Sequence, residues 1–333
     1  MLLSIIIPYY NRNAFIGRML DSLLDQDIEQ SEYEIIVVDD GSEEEPVVLK
    51  EYVRQYSQIQ YHRIEHAGLS PARNYGLYVA KGRWLYFCDS DDFVQRQVLG
   101  GIIAEAEGHQ LEMIWTRYTK VFSSTVIKEP RRNFSDITQP CPLSEYIKNN
   151  QRFPCCGVWS YLLRHSFVKD HDLSFRNINY VEERFFLLNL IKCVSRFALI
   201  DVDLYYYVQN EDSIVHSIKR HNCSAFAEAW YEYLNQLSVL IDNPTTPTAI
   251  ISWLKYKRAS GSVILLKNVF KYGTVNKTID SISRLEKMGA YPILGESIGK
   301  RAEVLRKKMN KRHLWLLLCR IYHLLPGSVR MRR

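Results

Sequence analysis

The stretch Trp84-Leu85-Tyr86-Phe87-Cys88-Asp89-Ser90-Asp91-Asp92 runs five mostly large apolar residues straight into three carboxylates. A short continuous apolar run reads as a strand buried on both faces, the pattern of a parallel sheet. The carboxylates then fall at the C-terminal end of that strand, the edge at which open α/β sheets bind ligands. Crowded carboxylates repel one another unless a cation or hydrogen-bond donors compensate. A divalent metal bridging to a substrate phosphate is the simplest compensation, because Mg²⁺ takes one or two carboxylates together with phosphate oxygens. Taken alone, D-x-D-D equally suits a solvated acidic turn, so the flanking sequence has to decide.

Toward the N-terminus, Leu3–Pro8 reads as a buried strand followed by the polar loop Tyr9-Tyr10-Asn11-Arg12-Asn13. Asn13 can cap a helix reaching about Asp25, with Phe15, Ile16, Met19, Leu20, Leu23 and Leu24 at helical spacing. Tyr33–Val38 is a second strand and ends in Asp39-Asp40-Gly41-Ser42, again acidic at a strand C-terminus. A helix over about Pro46–Tyr56 and a strand over Ile59–Ile64 follow. In Ser70-Pro71-Ala72-Arg73-Asn74-Tyr75-Gly76, Ser70 is placed to cap a helix running to about Lys81, with Arg73 in its first turn and Gly82 ending it. Strand and helix alternate up to Trp84, which predicts a doubly wound parallel α/β sheet with right-handed crossovers.

Toward the C-terminus the pattern predicts a helix after Asp92 running to about Glu107 and a strand over Leu111–Phe122. An irregular excursion over 123–142 precedes a helix from Pro142 to Asn150, a return to the core over residues 153–162 and a short helix over Ser166–Asp170. A helix opens within Asn179–Leu188 and carries Glu182 and Glu183 in its first turn, where the helix dipole favours acids. Two short strands, Phe197–Asp201 and Leu204–Val208, lead into a polar loop with His216. The resulting division is a catalytic domain over 1–217, with halves 1–110 and 111–217, a helical appendage over 218–312, and a basic amphipathic tail over 313–333.

With 47% apolar and 24% charged residues, the 333-residue chain has the composition of a folded globular protein. Its seven cysteines are odd in number and include no C-x-x-C, so they form neither a disulfide framework nor a zinc site. They fit a reducing cytoplasm. The net charge of +6 is uneven: Lys300–Arg333 holds eleven Lys or Arg against Glu303, which leaves the preceding 299 residues at −4.

Four blocks now stand in order: Ile5-Ile6-Ile7-Pro8-Tyr9-Tyr10-Asn11, Val37-Val38-Asp39-Asp40-Gly41-Ser42, Ser70-Pro71-Ala72-Arg73-Asn74-Tyr75-Gly76, and Phe87-Cys88-Asp89-Ser90-Asp91-Asp92. Together they resemble the family 2 inverting glycosyltransferases of GT-A fold, bacterial cell-surface polysaccharide enzymes among them. The segment Phe153–Val208 is similar to that family's acceptor half. The resemblance implies a nucleotide-diphosphate-sugar donor, UDP-sugar favoured, held by Pro8, Tyr10, Asn11, Asp39, Asp40, Arg73, Asn74, Asp89, Ser90 and Asp91. Asp39 would take the base or ribose, and an Asp-Gly-Ser turn hydrogen-bonding its own backbone is the plain alternative for one of that acidic pair. Arg73 would face the diphosphate, or form a surface ion pair. Asp91 would carry Mn²⁺ or Mg²⁺, an oxygen-ligand choice, with His216 as a further ligand or a structural loop residue. Trp159 and Asp92 would lie on the acceptor side.

The catalytic base departs from the family pattern. Where Glu-Asp usually opens the helix, this chain has Glu182-Glu183. Glu183 stands in the place of the Asp and still offers a carboxylate to take the acceptor proton, with Glu182 beside it. Ser160 and Tyr161 replace the Asn and Lys common after the position of Trp159. At the tail, His313–Leu325 is strongly apolar between basic flanks. It suits an interfacial helix on an anionic cytoplasmic membrane surface or a helix packed on the body. No recognition motif accompanies the basic residues, which argues against nucleic acid. The enzyme reading is therefore a glycosyltransferase acting on a glycan or lipid-linked acceptor. A non-catalytic nucleotide-sugar or glycan-binding protein of the same fold is the alternative. A sugar nucleotidyltransferase is disfavoured because Tyr9-Tyr10-Asn11-Arg12 is not a Gly-rich phosphate loop.

Overall fold

The computed structural model describes residues 1–122, 130–150, 157–209, 222–294 and 298–324. Two compact units divide the chain: Met1–Tyr146 with Phe153–Asn210, and Ile147–Arg152 with Glu211–Arg333.

The first unit is built on β1 (Leu3–Tyr9), β2 (Tyr33–Asp39), β3 (Ile59–Arg63) and β4 (Trp84–Phe87), joined by α1 (Asn13–Leu24), α2 (Val47–Gln55) and α3 (Leu69–Val79). Every residue of β1, β2 and β4 is buried. Burial on both faces is what continuous apolar runs such as Ile5-Ile6-Ile7 produce, each such side chain contributing about 1.5–3 kcal/mol. The four strands pair in parallel in the order β3-β2-β1-β4. Their C-terminal ends, Tyr9, Asp39, Arg63 and Phe87, consequently open on one edge.

Beyond β4 the sheet changes character. The strands β5 (Phe93–Val94), β6 (Met113–Val121), β7 (Arg132–Ile137), β8 (Tyr161–Arg164) and β9 (Phe197–Val208) extend it as β4-β8-β6-β9-β5, with β7 on β9. Here β8 runs antiparallel to both β4 and β6, while β6 and β9 are parallel. The helices α4 (Leu99–Gly108), α5 (Leu143–Asn149), α6 (His165–Asp170) and α7 (Glu182–Cys193) connect them.

Several local expectations shift. Asn13 is the first helical residue rather than the cap: it accepts from Tyr9 Oη at 3.2 Å and donates to Glu45 O at 2.7 Å. Helix α3 starts at Leu69, two residues earlier than a Ser70 cap allows, because Gly68 takes φ +102° at the cap position. No helix begins directly after Asp92. Phe93–Val94 pairs with β9, and Gln95 N donates to Leu204 O at 2.7 Å, so α4 starts only at Leu99. The expected excursion after residue 122 contains β7, a polar edge strand. Two expected short strands are one, β9, since Arg117 and Arg131 pair with Asp201 and the Arg131 amide donates to Asp203 at 2.9 Å.

The second unit holds α8 (Cys223–Asp242), α9 (Thr248–Tyr272), α10 (Val275–Lys287), α11 (Lys300–Met309) and α12 (Arg312–Leu324). Helix α12 turns Trp315 and Cys319 inward: the Trp315 ring lies tilted, 4.5 Å from that of Phe270, and Cys319 Sγ lies 3.4 Å from Thr278 Oγ1. Leu314, Leu317, Ile321 and Leu324 stay 41%, 53%, 49% and 84% exposed on another face. No described helix is long and apolar enough to cross a membrane. Cys88, Cys141, Cys193, Cys223 and Cys319 are free thiols.

Candidate active site

The β2 end supplies a fixed acidic turn. Asp39 is fully buried: Oδ1 accepts from Ser42 N at 2.8 Å and Oδ2 from Tyr61 Oη at 2.6 Å, with Arg63 at 3.9 Å. Asp40 accepts from the amides of Ala67 and Gly68, at 2.8 Å and 2.9 Å, and pairs with His66 Nδ1 at 2.9 Å. This Asp40 contact aligns the entry to α3. Tyr10 stacks on His66 with ring centroids 4.7 Å apart. Asn11, at φ +48°, donates its amide to Ser42 Oγ at 3.0 Å and accepts from Glu44 N at 3.1 Å. Pro8 lies in β1 opposite Val38. Pro8, Tyr10, Asn11, Asp39 and Asp40 thus gather at one sheet edge. Tyr61, Arg63 and His66 join them without having been anticipated, because a lone Tyr or His in a polar segment carries no sequence signal.

At the β4 end the three carboxylates separate by environment. Asp89 and Asp91 are 29% and 33% exposed, whereas Asp92 is 1% exposed. Asp92 Oδ2 accepts from Tyr205 Oη at 2.6 Å and Oδ1 from Val208 N at 2.7 Å. Burial first, and then Asp89, push its pKa up to about 8. Expected on the acceptor side, Asp92 instead ties the turn to β9. Ser90 is buried. Asp91 is also raised, by burial and then Asp89, against the pull of Arg12 at 3.9 Å. Arg18 donates to the Asp91 carbonyl. Arg12 and Arg18 were not foreseen.

Arg73 joins this turn to α7. It is 1% exposed, and its Nη2 donates to Asp89 Oδ1 at 3.0 Å and to Glu183 Oε1 at 2.8 Å. Its Nη1 lies 3.8 Å from Glu182 Oε1, and its guanidinium lies 5.3 Å from the Phe175 ring. Three carboxylates around one buried cation raise the Arg73 pKa despite desolvation. Glu183 is pushed up to about 7, chiefly by burial, with Arg73 opposing and Asp89 and Glu182 adding. Glu182 is raised by burial as well, and Arg73 opposes that shift. Arg73 therefore sits between the carboxylate of Asp89 at the β4 turn and those of Glu182 and Glu183 at the start of α7. Asn74 is likewise engaged: it exchanges two hydrogen bonds with the Phe175 backbone, both 2.8 Å, and so pins the segment leading to α7.

Trp159 is 6% exposed, stacked on Tyr205 at 4.5 Å and 11° and on Tyr207 at 5.6 Å and 16°. His216 lies outside the described residues. Among the described residues, no three His, Cys, Asp or Glu side chains form a metal cage. The residues present nevertheless fit a Mg²⁺- or Mn²⁺-type ion, which takes one or two carboxylates and completes its shell with phosphate and water. Asp91, a third exposed beside Asp89, offers that kind of partial site.

Residues 4–169 match the family model for glycosyl transferase family 2. EpsJ of Bacillus subtilis, described as an uncharacterized glycosyltransferase, is 32% identical over 219 residues, 64% of this chain and 62% of that protein. The poly(ribitol-phosphate) beta-N-acetylglucosaminyltransferase TarS of Staphylococcus aureus is 26% identical over 248 residues, 73% of this chain and 41% of that protein. The chain thus spans less than two thirds of either relative. The fold matches TarS residues 1–349 in complex with UDP at a TM-score of 0.66 and 20% identity, covering 96% of this chain and 88% of that one. It also matches the mannosyltransferase PcManGT of Pyrobaculum calidifontis, in complex with GDP-Man and Mn²⁺, at a TM-score of 0.55 and 13% identity, covering 97% and 86%. The α/β architecture is accordingly of GT-A type, with a helical C-terminal region.

Proposed function

The chain belongs to glycosyl transferase family 2, and from that premise we propose a metal-dependent inverting glycosyltransferase. It moves a sugar from a nucleotide-diphosphate-sugar, a UDP-sugar foremost, to a hydroxyl of a glycan or lipid-linked acceptor in bacterial surface polysaccharide synthesis. The observation that carries this reading is the Arg73 bridge. One nitrogen holds both Asp89 of the β4 turn and Glu183, the second residue of α7. A candidate base is thereby fixed beside a candidate donor site.

Asp91 would hold the metal, which when bound supplies charge neutralisation to a departing diphosphate. The chain's own residues do the rest. The β2-end turn and the Tyr10–His66 stack receive the nucleoside. Glu183 accepts the proton of the acceptor hydroxyl as the oxygen attacks the anomeric carbon. A pKa of about 7 leaves that carboxylate basic enough to take the proton and ionised enough to act near neutrality. Arg73 keeps Glu183 aimed and prevents the carboxylates from repelling each other apart. Glu182, 8% exposed, supports Arg73 and is poorly placed to meet a substrate. The site lies in a unit whose companion carries exposed basic side chains and the apolar α12 stripe. We place the enzyme at the cytoplasmic face of the membrane on that basis.

The test is donor hydrolysis and transfer with purified protein over UDP-, GDP- and dTDP-sugars with Mn²⁺. Diphosphate release from one donor, lost in Asp91→Ala, is expected. With acceptor present, Glu183→Gln should lower transfer by about 10²–10⁴-fold, the usual contribution of a general base. Donor binding without turnover under all acceptors would replace the enzyme with the non-catalytic binding protein.

A further inference from the structure

We propose that Tyr205 is the positioning residue of the β4 turn, and that its phenol sets the geometry of the carboxylate at Asp91. This rests on the reading of Asp91 as the metal carboxylate. The turn has to hold Asp89 and Asp91 out toward ligand while folding Asp92 back into the core. A single hydroxyl does both. Tyr205 Oη accepts from the Asp89 amide at 3.1 Å and donates to Asp92 Oδ2 at 2.6 Å, so it grips the turn at both ends. The second Asp92 oxygen is taken by the Val208 amide at 2.7 Å, three residues further along the same strand. Within the turn, Asp92 N reaches Asp89 O at 3.4 Å. Asp91 is thus flanked by fixed points on a strand distant in sequence.

The phenol is itself held in direction. Its ring lies flat against Trp159, 4.5 Å away at 11°, and Trp159 is flanked by Tyr207 and, edge-on at 4.9 Å, by Tyr118. Trp159 therefore works through Tyr205: it is the backing that keeps the hydroxyl aimed. Next along the strand, Tyr206 Oη donates to Gln95 Oε1 at 2.6 Å, so β9 also clamps the chain leaving the turn. A metal ligand whose support is locked binds its ion with little ordering cost, and loss of such support typically lowers metal affinity about 10–100-fold.

Tyr205→Phe in the full chain keeps the ring and its stack and deletes only the hydroxyl. Two readouts are taken beside Asp91→Ala: Mn²⁺ affinity by calorimetry with UDP present, and amide hydrogen exchange of residues 87–93 without metal. We expect Mn²⁺ affinity to fall about tenfold. Exchange at Asp89 should quicken, and the transfer defect should shrink as Mn²⁺ is raised. Trp159→Leu, which removes the backing but leaves the hydroxyl, should show the same two changes on a smaller scale and serves if Tyr205→Phe does not fold. Wild-type Mn²⁺ affinity and wild-type exchange, with only the melting temperature lowered, would make Tyr205 a packing residue and end the proposal. If Asp91→Ala loses Mn²⁺ while Tyr205→Phe and Trp159→Leu do not, the metal reading stands and Tyr205 alone is wrong. If Asp91→Ala binds Mn²⁺ like wild type, the metal reading falls and takes this proposal with it.

Discussion

Arg73 is the residue that ties the β4 turn to α7, and in the proposed mechanism its role depends on burial more than on charge. A guanidinium can offer one nitrogen to two carboxylates and a second to another, which an ammonium on a flexible stem does poorly. Arg73→Lys should therefore leave Glu183 less well compensated. The sign of the resulting change follows from the causes of its pKa: burial and the neighbouring acids raise it, and Arg73 lowers it. In the wild type, kcat/KM should fall about tenfold per pH unit below about 7, where Glu183 is protonated, and level off above. In Arg73→Lys that midpoint should move to higher pH. A pH-rate profile measures both, and an unmoved midpoint would remove Glu183 from the role of base. The sequence marked these residues as candidates but did not tell which touch. Arg73 and Glu183 are 110 positions apart, and only the packing of α3 and α7 brings them together. An Arg at the start of a helix reads equally well as a diphosphate ligand, because sequence carries no information about what closes over it.

At the scale of elements, the parallel strands were legible because burial on both faces writes an uninterrupted apolar run. Their spacing depends on a position that composition barely marks. A Cβ at Gly82 would lie 2.3 Å from Ser4 N and 2.5 Å from Leu3 C, both backbone atoms of the β1 region. Neither can yield without moving β1 relative to β4, which carries the acidic turn. Gly82→Ala should destabilise the protein by about 1–3 kcal/mol, as overpacking does. Gly108→Ala, with nothing within 4 Å of its Cβ, should cost almost nothing. Urea midpoints compare the two, and equal effects would show that β1 and β4 are not in tight register there. The elements that escaped the sequence reading fail for a matching reason. Strand β7 has no alternating apolar pattern, its two half-buried apolar residues being Phe134 and Ile137, and the Asp201–Asp203 stretch reads as a break because the arginines that neutralise it lie on β6 and before β7. The residues after Asp92 carry a helical pattern, yet Phe93 and Val94 pair with β9 and a bend at Arg96–Gln97 follows, so the helix waits until Leu99. In each case a partner distant in sequence overrides a local preference.

For the whole molecule, charge asymmetry was plain in the composition, while the direction in which each side of α12 points was not. Trp315, within the tail read as either interfacial or packed on the body, faces inward on Phe270. The outward stripe is Leu314, Leu317, Ile321 and Leu324, spaced for one helix face. Arg301, Lys307, Lys308, Lys311 and Arg320 are exposed on α11, α12 and the turn between them. Stripe and cations belong to the same unit, and each cation near an anionic surface contributes about 1 kcal/mol at modest salt. The full chain should therefore sediment with phosphatidylglycerol vesicles, much less with phosphatidylcholine vesicles, and should release as ionic strength rises. Leu317→Glu combined with Ile321→Glu puts acids on the outward face and leaves Trp315 and Cys319 in place. It should abolish vesicle binding while donor hydrolysis in solution is retained. Two charges inserted into a face already in water cost little stability, so the melting temperature separates loss of membrane contact from loss of fold. Binding that survives the double substitution, or that ignores salt, would mean that the stripe faces something other than an anionic bilayer. A lipid-linked acceptor would then have to reach Glu183 without the enzyme resting on the membrane.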